Sequence, residues 1–280
     1  MADRRLPEWL TTYSSFWLPS GLWGSITLAA VKKGDAKKVA ELIRQGPRFK
    51  VNMDHGGGST LLHYACEGDS RSAVIPLLLA HPDIDVNLTN MFGCTPFLYA
   101  CCYGNTSCVR EMLKDSRVKV NEPAKYGETP LRWAAVNGSL NIIKWWIASG
   151  REMDLGKPGD VDYTDAIGAV MKYGKTEVVT LLEGFKSDAA QTRYAMRVEV
   201  GWYDELAAEM FALVVFVSDG LLQINDTTTT TPAARYFKIA RSLPLELPMV
   251  LCHRQVGSGK EIIPGKESEV AFRELAKRLW

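Results

Sequence analysis

A glycine followed by a helix-compatible segment returns at near-constant spacing along much of the chain, at Gly34, Gly68, Gly104, Gly138 and Gly174, with intervals of 34, 36, 34 and 36 residues. A second marker keeps the same register: Val51-Asn52, Val86-Asn87 and Val120-Asn121 stand 35 and 34 residues apart. Self-similarity at such a period means stacked copies of one supersecondary unit, so the chain must fold as a quasi-one-dimensional array whose members are stable only beside each other.

The unit is clearest over 127–150, GETPLRWAAVNGSLNIIKWWIASG. Thr129 precedes Pro130: a threonine hydroxyl accepts from the unpaired N–H groups of a first helical turn, and proline suits an early position that needs no N–H. Gly138 supplies the positive φ that ends this short helix. Leu140, Ile142, Ile143, Trp146 and Ile147 then give a second helix with apolar residues at helical spacing, closed by Gly150. Two helices this short cannot bury their apolar faces alone.

The opening recurs as TLLHYA over Thr60 to Ala65, TPFLYA over Thr95 to Ala100 and TPLRWA over Thr129 to Ala134. Motif and period together resemble the ankyrin repeat family. The resemblance implies an all-α solenoid of about five repeats over residues 24–186, with partner-contacting loops and inner helices on one face. Leu98 and Arg132 replace the family's usual histidine, leaving those junctions to be held differently; the second repeat carries one extra residue near Ser70. The first unit, at 25–30, and the fifth, Asp165 to Val170, lack the Thr-Pro token, as terminal repeats do.

Residues 1–23 form an aromatic-rich segment, with Trp9, Tyr13, Phe16, Trp17 and Trp23, suited to capping the exposed end of an array. Beyond Phe185 the period is lost. Residues 187–280 read as a small helical C-terminal module: a helix from Ser187 to Val200, an apolar one from Leu206 to Val217, a Thr-rich linker at Thr227 to Thr231, and a last helix from Ser268 to Trp280 with Phe272, Leu275, Ala276 and Leu279 at i, i+3, i+4 and i+7.

Charge and composition narrow the function. Lys and Arg total 33 against 32 Asp and Glu, so no overall basic footprint for nucleic acid or anionic lipid exists. The longest apolar run, Leu206 to Val217, contains Glu209 and is short of the ~20 residues a membrane span requires. The N-terminal residues lack the sustained apolar run of a secretion signal. Six cysteines, Cys66, Cys94, Cys101, Cys102, Cys108 and Cys252, form no disulfide framework. A cytoplasmic protein is expected, with the nucleus left open.

No catalytic, metal or cofactor motif stands out. Gly257 to Lys260, GSGK, suggests a phosphate loop, but Arg254 and Glu261 occupy the places where that pattern needs a glycine and a hydroxyl residue. His63 with Cys66 has no second pair at zinc spacing. Leu243 to Leu247, LPLEL, looks like the opening of an F-box, the helical module that attaches substrate receptors to ubiquitin ligases, although Pro248 would interrupt such a helix in its second turn.

The reading is a non-enzymatic protein-protein interaction adaptor, with a ubiquitin ligase receptor as the alternative. Carried onto this chain position by position, the family's contact residues are Met91, Phe92, Lys125 and Tyr126 at the loop tips, and Cys102, Tyr103, Val136, Asn137, Lys172 and Tyr173 before the turn glycines. Exposed aromatics there either anchor a partner or pack against the C-terminal module.

Overall fold

The computed structural model of the protein describes residues 20–46, 49–157, 165–222, 232–240, 242–244, 246–258, 260, 262–263 and 265–279. Most of the proposed N-terminal cap and the Thr-rich linker at Thr227 to Thr231 lie outside them. Among the described residues every regular element is a helix, and the chain divides into two compact units between Thr192 and Arg193.

In the first unit helices come in pairs: α1 (Ser20–Lys33) and α2 (Ala36–Arg44); α3 (Leu61–Cys66) with a 3-10 stretch (Asp69–Val74) leading into α4 (Ile75–Leu79); α5 (Pro96–Cys102) and α6 (Thr106–Lys114); α7 (Pro130–Val136) and α8 (Leu140–Ser149); α9 (Ala166–Lys172) and α10 (Thr176–Ser187). The first members pack one on the next, α1 through α9, and the second members form a parallel layer behind them. Apolar residues from both layers fill the space between. Phe97 meets Trp146 edge-on at 5.1 Å, and both are fully buried, contributing on the order of 1.5–3 kcal/mol each.

The two Thr-Pro tokens act as read. Thr95 Oγ1 accepts from Leu98 N–H and Thr129 Oγ1 from Arg132 N–H, both at 3.2 Å. The fifth unit, lacking threonine, uses Asp165, whose Oδ1 accepts from Gly168 N–H at 2.8 Å. Gly34, Gly104, Gly138 and Gly174 have positive φ, but Gly68 does not. Its backbone is extended, φ −146°, and the residues after it wind as a 3-10 turn, so the extra residue of this repeat is absorbed by changing helix type.

The repeats are tied by asparagine. Asn87 Nδ2 donates to Arg117 O at 2.9 Å while its Oδ1 accepts from Lys119 N–H at 2.8 Å. Asn52 makes the same pair with Asp83 O and Asp85 N–H, at 2.6 and 3.0 Å. Asn121 does so with Glu152 O and Asp154 N–H, at 3.4 and 3.2 Å. The adjoining Val51, Val86 and Val120 are buried. The recurring Val-Asn pair is thus one apolar plug and one two-ended clamp at each of three junctions.

The second unit holds α11 (Ala189–Glu199), whose first residues close the preceding unit, then α12 (Trp202–Ser218), α13 (Pro232–Ala240), α14 (Glu246–Gln255) and α15 (Gly265–Leu279). α12 packs on α13, α14 and α15. Its Ala207, Ala208 and Ala212 allow close approach, and Phe211 and Phe216 flank Phe272 at 6.1 and 6.0 Å.

Three expectations for this region are corrected. The helix expected from Ser187 to Val200 is broken at Asp188, whose Oδ1 caps the new helix at Gln191 N–H, 2.9 Å. The apolar helix begins at Trp202 rather than Leu206, after Gly201 turns the chain at φ +72°. Pro248 does not interrupt a second turn: the helix starts at Glu246, so this proline lies in the first turn, where no intrahelical N–H is needed.

Asn87→Ala removes two inter-repeat bonds and is expected to lower unfolding free energy by about 1–2 kcal/mol, whereas Asn121→Ala, with longer bonds, costs about 0.5–1 kcal/mol. Urea denaturation of the two variants checks the order; equal losses would mean that the clamp is not graded by its geometry.

Candidate protein-binding surface

The loop tips are shaped by their own short polar side chains. Asp54 Oδ1 accepts from Gly56 and Gly58 N–H at 2.7 and 2.9 Å; Asn90 Oδ1 accepts from Phe92 and Cys94 N–H at 3.0 and 3.1 Å. Neighbouring tips then join through main chain. Met91 N–H donates to Gly57 O at 2.8 Å, and Lys125 N–H to Phe92 O at 3.1 Å. This contact needs glycine at Gly93, which has φ +73° and where a Cβ would stand 2.7 Å from Lys125 N.

On this frame the side chains read as contact residues are displayed rather than packed. Met91, Phe92, Tyr103, Tyr126 and Tyr173 are between 53% and 69% exposed. Lys125 and Lys172 are exposed as well, and Cys102 and Val136 half-buried. Asn137 is exposed, yet its Nδ2 is committed to Cys102 O at 2.6 Å, a junction bond like that of Asn105 Nδ2 to Cys66 O at 2.8 Å.

The inner helices add residues that the sequence reading passed over. Tyr64, Tyr99 and Trp133 occupy one column of the repeated token, each just before the buried Ala65, Ala100 or Ala134, and all three are half-buried. Tyr99 meets Tyr103 and His63 edge-on, both at 5.5 Å. Lys32 Nζ lies 4.5 Å over the Tyr64 ring. Met171 is also exposed, beside Lys172 and Tyr173. An aromatic recurring at one token position was the available signal.

Burial, rather than charge, sets the titration of the cysteines near this surface. Burial pushes the Cys66 and Cys101 thiols well up, Cys94 to about 11 and Cys108 to about 12; the buried Cys66, Cys101 and Cys108 are neutral apolar fillers, and Cys94 is half-buried. Burial also raises the Tyr99 and Tyr103 phenols. Among the described residues no group of three or more His, Cys, Asp or Glu could hold a metal ion, and no helix is long and apolar enough to cross a membrane.

His63 serves the junction. Its Nδ1 accepts from Thr60 N–H at 3.1 Å and its Nε2–H donates to Cys94 O of the next repeat at 2.9 Å. Where Leu98 replaces the histidine, that side chain is buried, and the following junction keeps the Asn87 clamp and the tip bond from Lys125 N–H.

The family profile described as "Ankyrin repeats (3 copies)" matches residues 71–156. The SMC5-SMC6 complex localization factor protein 1 of Bos taurus is 32% identical over 155 residues, which cover 51% of this chain and 14% of that protein. The Homo sapiens protein of the same name is 31% identical over 155 residues, with the same coverage. The probable E3 ubiquitin-protein ligase XBOS32 of Oryza sativa subsp. japonica is 26% identical over 125 residues, 45% of this chain and 25% of that protein. The chain therefore spans only a small part of the length of the relatives it matches.

Burial lowers the His63 pKa, the Cys94 carbonyl bond opposing it only in part. The neutral ring is the folded form, so its contribution is full above the ordinary histidine value of about 6.5 and is lost as pH falls through the lower folded-state value. Thermal melts from neutral to mildly acidic pH should show a smaller acid loss in His63→Gln than in the parent chain. Parallel curves would place the acid sensitivity elsewhere.

Proposed function

As the chain is an ankyrin-repeat protein, we propose that it is a non-enzymatic adaptor that binds a protein partner through its loop tips and inner helices, with Met91, Phe92, Tyr103, Lys125, Tyr126 and Tyr173 as the principal contacts. Cys102, Val136 and Lys172 form the floor and edge of that surface, while Asn137 contributes chiefly by holding its junction. The observation that carries this reading is a run of exposed aromatic and Met side chains on loops already fixed by hydrogen bonds. Such anchors lose little conformational freedom on binding. The relatives named as localization factors support a role in positioning a bound protein.

A second reading, favoured by the rice relative's name, is a ubiquitin ligase receptor acting through Leu243 to Cys252. Against it, Met249 packs on the core of the second unit and Cys252 is fully buried, which leaves less of this helix for an adaptor subunit. Co-purification of a ligase adaptor subunit that depends on residues 243–252 would establish it.

The first reading is tested by affinity capture with the full chain, with residues 1–192, and with the full chain carrying Phe92→Ala, Tyr103→Ala and Tyr126→Ala. A specific protein is expected to be retained by the first two and weakened at least about tenfold by the triple change, with the melting temperature unchanged. Retention that depends on residues 193–280 would overturn it.

A further inference from the structure

The chain as a whole is close to neutral, with 33 Lys and Arg against 32 Asp and Glu, but the contact surface of the repeats is not. Lys32 stands at the first turn, Lys125 on a tip, and Lys172 and Lys175 on either side of Gly174; all four are exposed. Two of them are laid against the repeats. Lys32 Nζ lies 4.5 Å over the Tyr64 ring, and the Lys175 stem runs beside Gly138, where a Cβ would come within 3.1 Å of it. Among the described residues none of the four ammonium groups has a carboxylate at ion-pair distance.

The acids of the tips and turns are, by contrast, largely engaged within the fold. Asp35 accepts from Lys38 N–H at 2.9 Å, and Asp54 Oδ1 holds the N–H groups of Gly56 and Gly58. Glu67 is paired with Arg71 at 3.0 Å, Asp69 accepts from Ser107, and Glu128 is half-buried. Cations without counter-ions beside carboxylates that already have partners give a field that attracts negative charge and repels positive.

The charges also have an order along the array. Lys32 belongs to the first repeat and Lys172 and Lys175 to the fifth, while the exposed apolar side chains Met91, Phe92, Tyr103 and Tyr126 lie between them on the third and fourth, with Lys125 beside Tyr126. A nucleic acid strand fits this less well than a peptide does, because its bases need open ring faces to stack on. Tyr99 is edge-on to Tyr103 and to His63, and Tyr64 carries Lys32.

We propose that the surface takes an extended acidic segment of its protein partner, with aromatic or aliphatic side chains at the centre, on the tips of the third and fourth repeats, and carboxylates toward Lys32 at one end and Lys172 at the other. The proposal rests on the adaptor reading and adds to it the chemistry of the partner.

Selection of phage-displayed random linear peptides on the full chain, and on the chain carrying Phe92→Ala, Tyr103→Ala and Tyr126→Ala, tests it. The enriched peptides are expected to carry more Asp and Glu than Lys and Arg, to place them on both sides of an apolar centre, and to be lost on the triple variant. By fluorescence anisotropy a selected peptide should bind the combined Lys32→Gln, Lys125→Gln, Lys172→Gln chain about tenfold more weakly and with a shallower salt dependence. The matching Lys→Arg chain should bind as the parent does. Peptides that survive the aromatic changes would overturn the adaptor reading of this surface. Peptides lost with the aromatics but neutral or basic, equal binding by the Lys→Gln chain, or no enrichment on the parent would overturn this proposal alone. Displacement of the selected peptide by a single-stranded oligothymidylate that binds more tightly would overturn it in favour of nucleic acid.

Discussion

Three of the repeat junctions are closed by an asparagine that satisfies one carbonyl and one N–H of the next repeat at the same time. An amide is suited to this because it carries a donor and an acceptor side by side; aspartate would leave the carbonyl unmet, and a hydroxyl is too short to span the gap. With Asn52, Asn87 and Asn121 each closing such a pair, the loops after the second-layer helices are held in register while Val51, Val86 and Val120 plug the layer beneath. On the turn side Asn105 and Asn137 each donate to a single carbonyl of the preceding repeat, Cys66 O and Cys102 O. The array is therefore pinned at both ends of its helices, with the helices themselves kept short.

That pinning fixes the same loops that carry apolar side chains into solvent. A tip such as 90–93 is fixed by the Asn90 carboxamide and by main-chain bonds to the tips on either side, so Met91 and Phe92 can be varied without disturbing the core. Stability resides in asparagine, threonine, buried valine and the second-layer helices. Under the proposed adaptor reading, recognition would fall to the exposed side chains of the tips, Met91 and Phe92 among them.

Much of the first unit was legible from residues alone, because period and token are both local patterns. The Val-Asn marker could be counted, but its role could not be read: the groups it meets are main-chain atoms more than thirty residues away, with no side-chain signature. Tyr64, Tyr99 and Trp133 were hidden differently, since an aromatic in a short helix looks like core until its partial exposure is seen. Gly68 departed from its column because the extra residue near Ser70 is taken up by a 3-10 turn. In the second unit no repeat enforces register. The break at Asp188 came from a single capping carboxylate within a helix-compatible run, and Pro248 fell in a first turn because the helix begins at Glu246.

Amide hydrogen exchange on the full chain, free and with its captured protein partner, tests the division of labour most directly. Added protection centred on Met91, Phe92, Tyr103, Tyr126 and Tyr173, with the Asn-clamped junctions unchanged, is the expected result. Protection confined to residues 193–280, with the tips exchanging as in the free protein, would contradict it and make the repeats a support for the second unit.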